Sequence, residues 1–154
     1  MICAVANAQT VQFFTPNTVR IIKEKVPATE DKSVVVIAKP KKVKVTKKNI
    51  GKATIYKSSA LTVKVEEGRV TFLDEKGNIL TSEGDAVFTP RTSGSDQNAY
   101  KVRQSFSVEA DETIYGIGLL QNGKMSQRGE NRHMTQSNLE DFAHFFQTIK
   151  GYGI

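Results

Sequence analysis

The sequence predicts an all-β fold of the sandwich type, and three features carry that expectation. Short runs in which apolar and polar residues alternate recur along the chain. Gly, Asn, Asp and Pro separate them at intervals that suit turns. No window of 11 or more residues shows a helical period. Many short strands with frequent turns are the pattern of a sandwich.

The elements follow in order. "SVVVIA" at 33–38 is a β-branched apolar run that suits a strand buried on both faces. "KPKKVKVTKKNIGK" at 39–52 alternates Lys42 and Lys44 with Val43 and Val45, as an exposed or edge strand does. In "ALTVKVEEGRVTFLDEKGNIL" at 60–80, Leu61, Val63 and Val65 alternate with Thr62, Lys64 and Glu66. A turn at Glu66-Glu67-Gly68 follows, then Val70 and Phe72 alternate with Arg69 and Thr71, and "DEKGN" makes a second turn. This is a hairpin with one wet face. "AYKVRQSFSVEA" at 99–110 reads as a further strand, with Val102 and Phe106 on one side. "EADE" at 109–112 suits only a short turn.

The totals narrow the function classes. A chain of 154 residues suits one domain. Apolar residues are 38% and charged residues 25%, which allows a packed core without disulfides or metals. No apolar run is long enough for a helix to span a bilayer, and no membrane partner is expected. The single cysteine, Cys3, excludes an internal disulfide and a cysteine-based metal site. Ala6-Asn7-Ala8 before Gln9 has the small-x-small form of a signal-peptidase site. The charged n-region and most of the apolar h-region are missing. The match is therefore either coincidence or a signal-peptide remnant at 1–8, with a sandwich domain at 9–154. The remnant would imply a periplasmic or secreted protein; otherwise it is cytoplasmic.

The charge of +6 is concentrated, because 32–64 holds ten lysines and no acid. Clustered cations can neutralise phosphates. The stretch at 39–52 has no aromatic to stack on a base and no arginine to fork onto a guanine, so no nucleic-acid partner is expected.

The glycines of "YGIGLLQNGKMSQRGENRHMTQSN" at 115–138 invite comparison with phosphate loops. The dinucleotide pattern fails at Gln121, and Gly123-Lys124-Met125 fails as a Walker loop. His133 and His144, with Glu140 and Asp141, lack the convergence a metal needs, and His144 among Phe142, Phe145 and Phe146 is expected to be a partly buried, satisfied histidine. Ser126, His133 and Asp141 could be drawn as a hydrolytic triad, but no nucleophile elbow supports it. Glu130, Glu140 and Asp141 could be drawn as paired carboxylates, but nothing marks their separation.

Tyr115-Gly116-Ile117-Gly118 and Lys150-Gly151-Tyr152-Gly153 enclose a loop containing "QNGKMSQRG". In this respect the chain resembles the N-terminal domain of glycoside hydrolase family 31, which includes α-glucosidases and α-xylosidases. The loop looks most like that of bacterial α-xylosidases, and the hairpin "VTFLDEKGNIL" also fits. The resemblance implies a galactose-mutarotase-like β-sandwich. With the apolar ending at Ile154, it also implies a sandwich truncated at its C-terminal end, with "FAHFFQTI" at 142–149 partly uncovered.

It further implies that both catalytic aspartates lie in a (β/α)8 barrel that follows this domain. No catalytic residue, metal ligand or cofactor is then expected in this chain. The loop would line the substrate pocket. Many members carry Asn-Arg-Asp there, whereas this sequence has Ser126-Gln127-Arg128-Gly129. Gln121, Asn122 and Arg128 are the remaining candidates for sugar hydroxyls, since amides and guanidinium suit them. Asn122-Gly123 is equally a plain turn, and Arg128 can equally brace the loop. The implied partner is an oligosaccharide held with the barrel. The alternative is a stand-alone carbohydrate- or polyanion-binding sandwich using the lysines.

Overall fold

A computed structural model of the chain describes residues 8–24, 36–92, 94, 99–136, 138 and 140–154. Among them there are strands and turns but no helix. Two compact units divide after Ser107.

The first unit has two layers. β1 (Ala8–Thr15) and β2 (Thr18–Glu24) form a hairpin across Pro16-Asn17. The second layer is an antiparallel meander of β3 (Thr46–Ile50), β4 (Ala53–Lys57), β5 (Thr62–Glu66), β6 (Arg69–Leu73), β7 (Ile79–Pro90) and β8 (Tyr100–Phe106), in that spatial order. The core sits between the layers. Phe13 from the hairpin is buried with Leu61, Val63 and Val70 of the sheet, and Val11, Val19, Ile21 and Phe72 pack around them. The register puts Val63 opposite Phe72 and Val65 opposite Val70, so the alternation in the sequence becomes one apolar face.

Between β5 and β6 the turn is Glu67-Gly68, closed by the pair Glu66↔Arg69. Both turn residues have positive φ, 50° and 79°, as a type I′ turn requires. Gly68 adopts this without penalty, but Glu67 does not. Its carboxylate pairs with Lys52 at 2.8 Å, yet the two side chains are 67% and 80% exposed, so the pair contributes little. Glu67→Asn is therefore expected to raise stability by about 0.5 kcal/mol, because asparagine tolerates the left-handed region. Thermal melting checks this; a lower melting temperature would mean the ion pair outweighs the backbone.

β7 serves two ladders. Its first half pairs with β6 through Thr71↔Ser82, and its second half with β8 from Ala86↔Gln104 onward. At the crossover, Glu83 turns its side chain inward. One carboxylate oxygen accepts the Val70 N–H at 3.0 Å and the Lys23 ammonium at 2.6 Å. The two charged side chains are 4% and 13% exposed. This ion pair ties β2 to the sheet.

Three expectations need correction or relocation. Residues 33–35 of "SVVVIA" lie outside the described residues, as do Cys3 and the pair Ala6-Asn7, and 36–38 are not strand. Ile37 is 90% exposed, and among the described residues no sheet ladder includes that run. The edge strand of the lysine segment is β3, all of it exposed, not 42–45. Val43 and Val45 do pack against the core, and Lys41 N, bonded to Phe14 O at 3.1 Å, ties this run to the hairpin. At 99–110 the strand ends at Phe106, and Val102 is 58% exposed rather than buried.

The second unit pairs β9 (Ile114–Leu119) with β10 (Asp141–Thr148). Residues 152–154 run along the other edge of β10. Phe146 and Ile154 exchange both backbone bonds at 2.9 Å, and Thr148 N donates to Tyr152 O at 2.9 Å. Of the phenylalanines in "FAHFFQTI", Phe142 and Phe146 are half-buried and Phe145 is exposed.

Candidate functional site

The two glycine motifs build the frame of the long loop. Phe142 and Phe146 direct their backbone bonds away from β9: Phe146 to Ile154, and Phe142 to the side-chain amide of Gln136. Their opposite numbers, Gly118 and Gly116, therefore occupy non-hydrogen-bonded pairs, the closer of the two antiparallel spacings. Between these pairs, 143–145 of β10 face Ile117 alone, which makes a bulge. Gly116, Ile117 and Gly118 take φ values of 106°, 60° and 124° to follow it. A Cβ on Gly116 would lie 2.9 Å from Phe145 O, and one on Gly118 would run into Asp141 O. The signature glycines thus serve backbone packing, not a phosphate.

The loop that this frame holds is closed by its own polar side chains. Gln127 is its anchor. It is buried, its N–H donates to Ile114 O at 2.8 Å and its amide donates to Lys124 O at 2.8 Å. Its amide oxygen accepts Asn122 Nδ2 at 3.1 Å, while Asn122 Oδ1 accepts Lys124 N at 3.1 Å. Both ends of the Asn122 side chain are thus spent on shaping the turn. Arg128 donates from Nη1 to Glu112 O at 2.9 Å and is half-buried. Gln121 is exposed. The three candidates therefore fall on one loop, with Asn122 and Arg128 contributing to its frame.

Glu112 is the deepest charged group of this unit, at 1% exposure. Burial pushes its carboxyl up. The neighbouring Tyr152 hydroxyl, the Glu109 N–H that donates to Oε2, the Thr148 hydroxyl and the charge of Lys150 outweigh that and hold it below its ordinary value of 4.5. The Glu109 bond is 3.0 Å, and Lys150 is itself paired to Glu109 at 2.9 Å. Lys150, from the second motif, therefore ties the chain turn at 109–112 to the end of β10.

A carboxyl depressed on folding stabilises above its unfolded pKa, and that contribution fades as pH falls through the folded one. Unit two is thus expected to lose stability below about pH 4.5. Urea titration at pH 7 and pH 3, followed by the NMR signals of Tyr152 and Thr148, checks this. Glu112→Gln should flatten the pH dependence, leaving the part due to Glu130, whose carboxyl is also lowered, chiefly by Lys124; a slope as steep as in the parent would place the proton elsewhere.

The remaining candidates are dispersed in role. Glu130 is held by Lys124 at 2.6 Å and Arg132 at 3.5 Å, which keeps it ionised and suits it poorly as a general acid. Ser126 Oγ accepts Arg128 N at 3.3 Å. His133 is exposed, and so is His144, against the expectation of partial burial: it sits in the β10 bulge, beside Phe145, which is exposed too. Among the described residues, no three His, Cys, Asp or Glu side chains gather to hold a metal ion. Glu112 and Gln127 carry more of this region than the sequence suggests. Their only signal is the fixed spacing from Asn122 and from Tyr152, which becomes meaningful once the strands are paired.

Residues 8–148 match the glycosyl hydrolase 31 N-terminal galactose mutarotase-like domain. The chain is 27% identical to an alpha-xylosidase of Saccharolobus solfataricus over 94% of its own length, and spans 21% of that protein. Among solved structures it resembles a GH31 alpha-xylosidase from Xanthomonas citri, with TM-score 0.79 and 23% identity, covering 97% of this chain and 17% of that one. It also resembles a GH31 alpha-xylosidase from a soil metagenome, solved with xylose, with TM-score 0.82 and 19% identity over 96% of this chain and 25% of the other. At these identities the structural likeness is one of fold.

Proposed function

The chain belongs to glycoside hydrolase family 31 through that family's N-terminal galactose-mutarotase-like domain, and from this membership we propose that it shapes the substrate pocket of an α-glycosidase of the α-xylosidase kind, acting on oligosaccharides. The observation that carries the reading is the loop between the two glycine motifs, closed by Gln127 and braced from Arg128 to Glu112. A loop fixed by its own bonds can present a polar group without losing much entropy on binding.

Within this reading, Gln121 is the residue that meets a sugar hydroxyl, because its amide projects from the loop. Arg128 contributes the guanidinium N–H groups beyond the one given to Glu112. Asn122 acts by setting the turn that carries Gln121. The two carboxylates of a retaining mechanism, about 5–5.5 Å apart, come from a barrel domain and not from this one. The chain by itself is therefore expected to give no turnover of aryl α-xyloside or α-glucoside above a blank.

The test is a chimera in which this chain replaces the N-terminal domain of an active α-xylosidase. Gln121→Ala should raise KM for xyloside about tenfold, the cost of one lost hydrogen bond to a bound hydroxyl, with kcat little changed. Parent-like kinetics in both Gln121→Ala and Arg128→Ala would overturn the pocket assignment.

A further inference from the structure

We propose that the first unit carries a second site, a lysine-lined groove that binds acidic polysaccharide, meaning a glycan whose sugars bear carboxylates. It is remote in sequence from the loop at 119–138 and does not depend on that loop's role. The groove lies where three segments meet. The β1–β2 turn supplies Pro16, the run before β3 supplies Lys41, Lys42 and Lys44, and the end of β4 supplies Lys57.

The walls are fixed before any ligand arrives. Ser58 is buried, and its hydroxyl lies 2.5 Å from Pro16 O while accepting the N–H groups of Ala60 at 3.2 Å and Leu61 at 3.0 Å. It thereby pins the β1–β2 turn to the β4–β5 turn. Val43 and Val45 pack against the core, and this alternation sets Lys42 and Lys44 on the outside. Among the described residues the cations are also uncompensated. All four are exposed, none makes an ion pair among the described residues, and 32–64 contains no acid. Four ammonium groups on one groove repel each other, and a polyanion relieves that repulsion.

The lining selects the kind of anion. Lysine is a point charge on a flexible stem, which suits single carboxylates spaced along a polymer; paired forks for phosphate would call for arginine, and the groove has none. It also has no aromatic side chain on which bases could stack. Thr46 and Ser59 place hydroxyls beside the lysines, within reach of sugar hydroxyls, and Pro16 with Val43 offers apolar surface to the C–H face of a pyranose.

Affinity electrophoresis of the chain through polygalacturonate, with dextran as the neutral reference, tests the proposal. Retardation by polygalacturonate alone is expected, and it should weaken as salt rises. Replacing Lys41, Lys42, Lys44 and Lys57 together by Gln should weaken retention by about tenfold or more. Replacing Lys39, Lys47, Lys48 and Lys52 by Gln removes the same charge outside the groove and should change it less than about twofold. Equal loss in the two quadruple variants would overturn the site, since net charge alone would then account for binding. Retardation by dextran as strong as by polygalacturonate would overturn the role of the lysines. Tighter binding of double-stranded DNA than of polygalacturonate at matched salt would overturn the glycan assignment.

Discussion

Gly118→Ala is expected to melt the second unit locally, at a cost of about 3 kcal/mol or more. Two effects add at this position. Its φ of 124° lies where residues with a Cβ are strained, and the Cβ itself would meet Asp141 O and stand 2.8 Å from Phe142 Cα. Both obstacles are backbone, so no side-chain rotation relieves them. The β9–β10 ladder has to open at the Phe142↔Gly118 pair, beside the loop it supports. Hydrogen exchange reads this directly: the amides of Tyr115 and Gln147, which pair across that ladder, should lose protection by about a hundredfold, the equivalent of that cost. Protection like that of the parent would mean that β10 accommodates a side chain there, and that the bulge is not what requires glycine.

Removing Glu83 should cost about as much in the first unit. Glu83→Ala strips the Lys23 ammonium of its counter-charge at a site where its side chain is only 13% exposed, and leaves the Val70 N–H without its acceptor. Breaking a buried pair from one side typically costs about 3–5 kcal/mol, a large part of the 5–15 kcal/mol by which a domain of ordinary stability is folded. The double variant Lys23→Met with Glu83→Gln should recover most of this, to within about 1–2 kcal/mol of the parent. It removes both charges and keeps an oxygen for Val70. Urea denaturation decides between the outcomes. A single variant within 1 kcal/mol of the parent would show that water reaches the pair.

The hairpin from Leu61 to Leu80 was legible because one face is wet and the other dry, so the period-two pattern is written directly in the residues. The same logic misplaces "SVVVIA". A fully apolar run says that a strand there would be buried, not that a partner exists, and Ile37 stands exposed. Hairpin β1–β2 carries a weak mark, Pro16-Asn17, between runs whose alternation is interrupted by Phe14 and Ile22. In the lysine segment the alternation of Val43 and Val45 is real, but backbone pairing starts only at Thr46. The candidate loop was legible as a place, through its motifs. The roles inside it were not, because Gln127 and Glu112 act through contacts that exist only after β9 and β10 have met.

The order of strands in the meander has a consequence for how the chain reaches this structure. Each strand of the six neighbours only the strands before and after it in sequence. The closures are therefore short, their entropic cost small, and the sheet can grow by adding one hairpin at a time. β7, whose two halves belong to different ladders, lets that growth pass from β6 to β8 without a crossover. The β1–β2 hairpin is different. Its polar attachment joins residues 60 positions apart, Lys23 and Glu83, and its apolar side needs the finished face of β5 and β6. The hairpin, the earlier part of this unit in sequence, therefore waits for later ones: until β6 has been synthesised its valines and phenylalanine lack the face they cover, and until β7 has been synthesised Lys23 lacks Glu83.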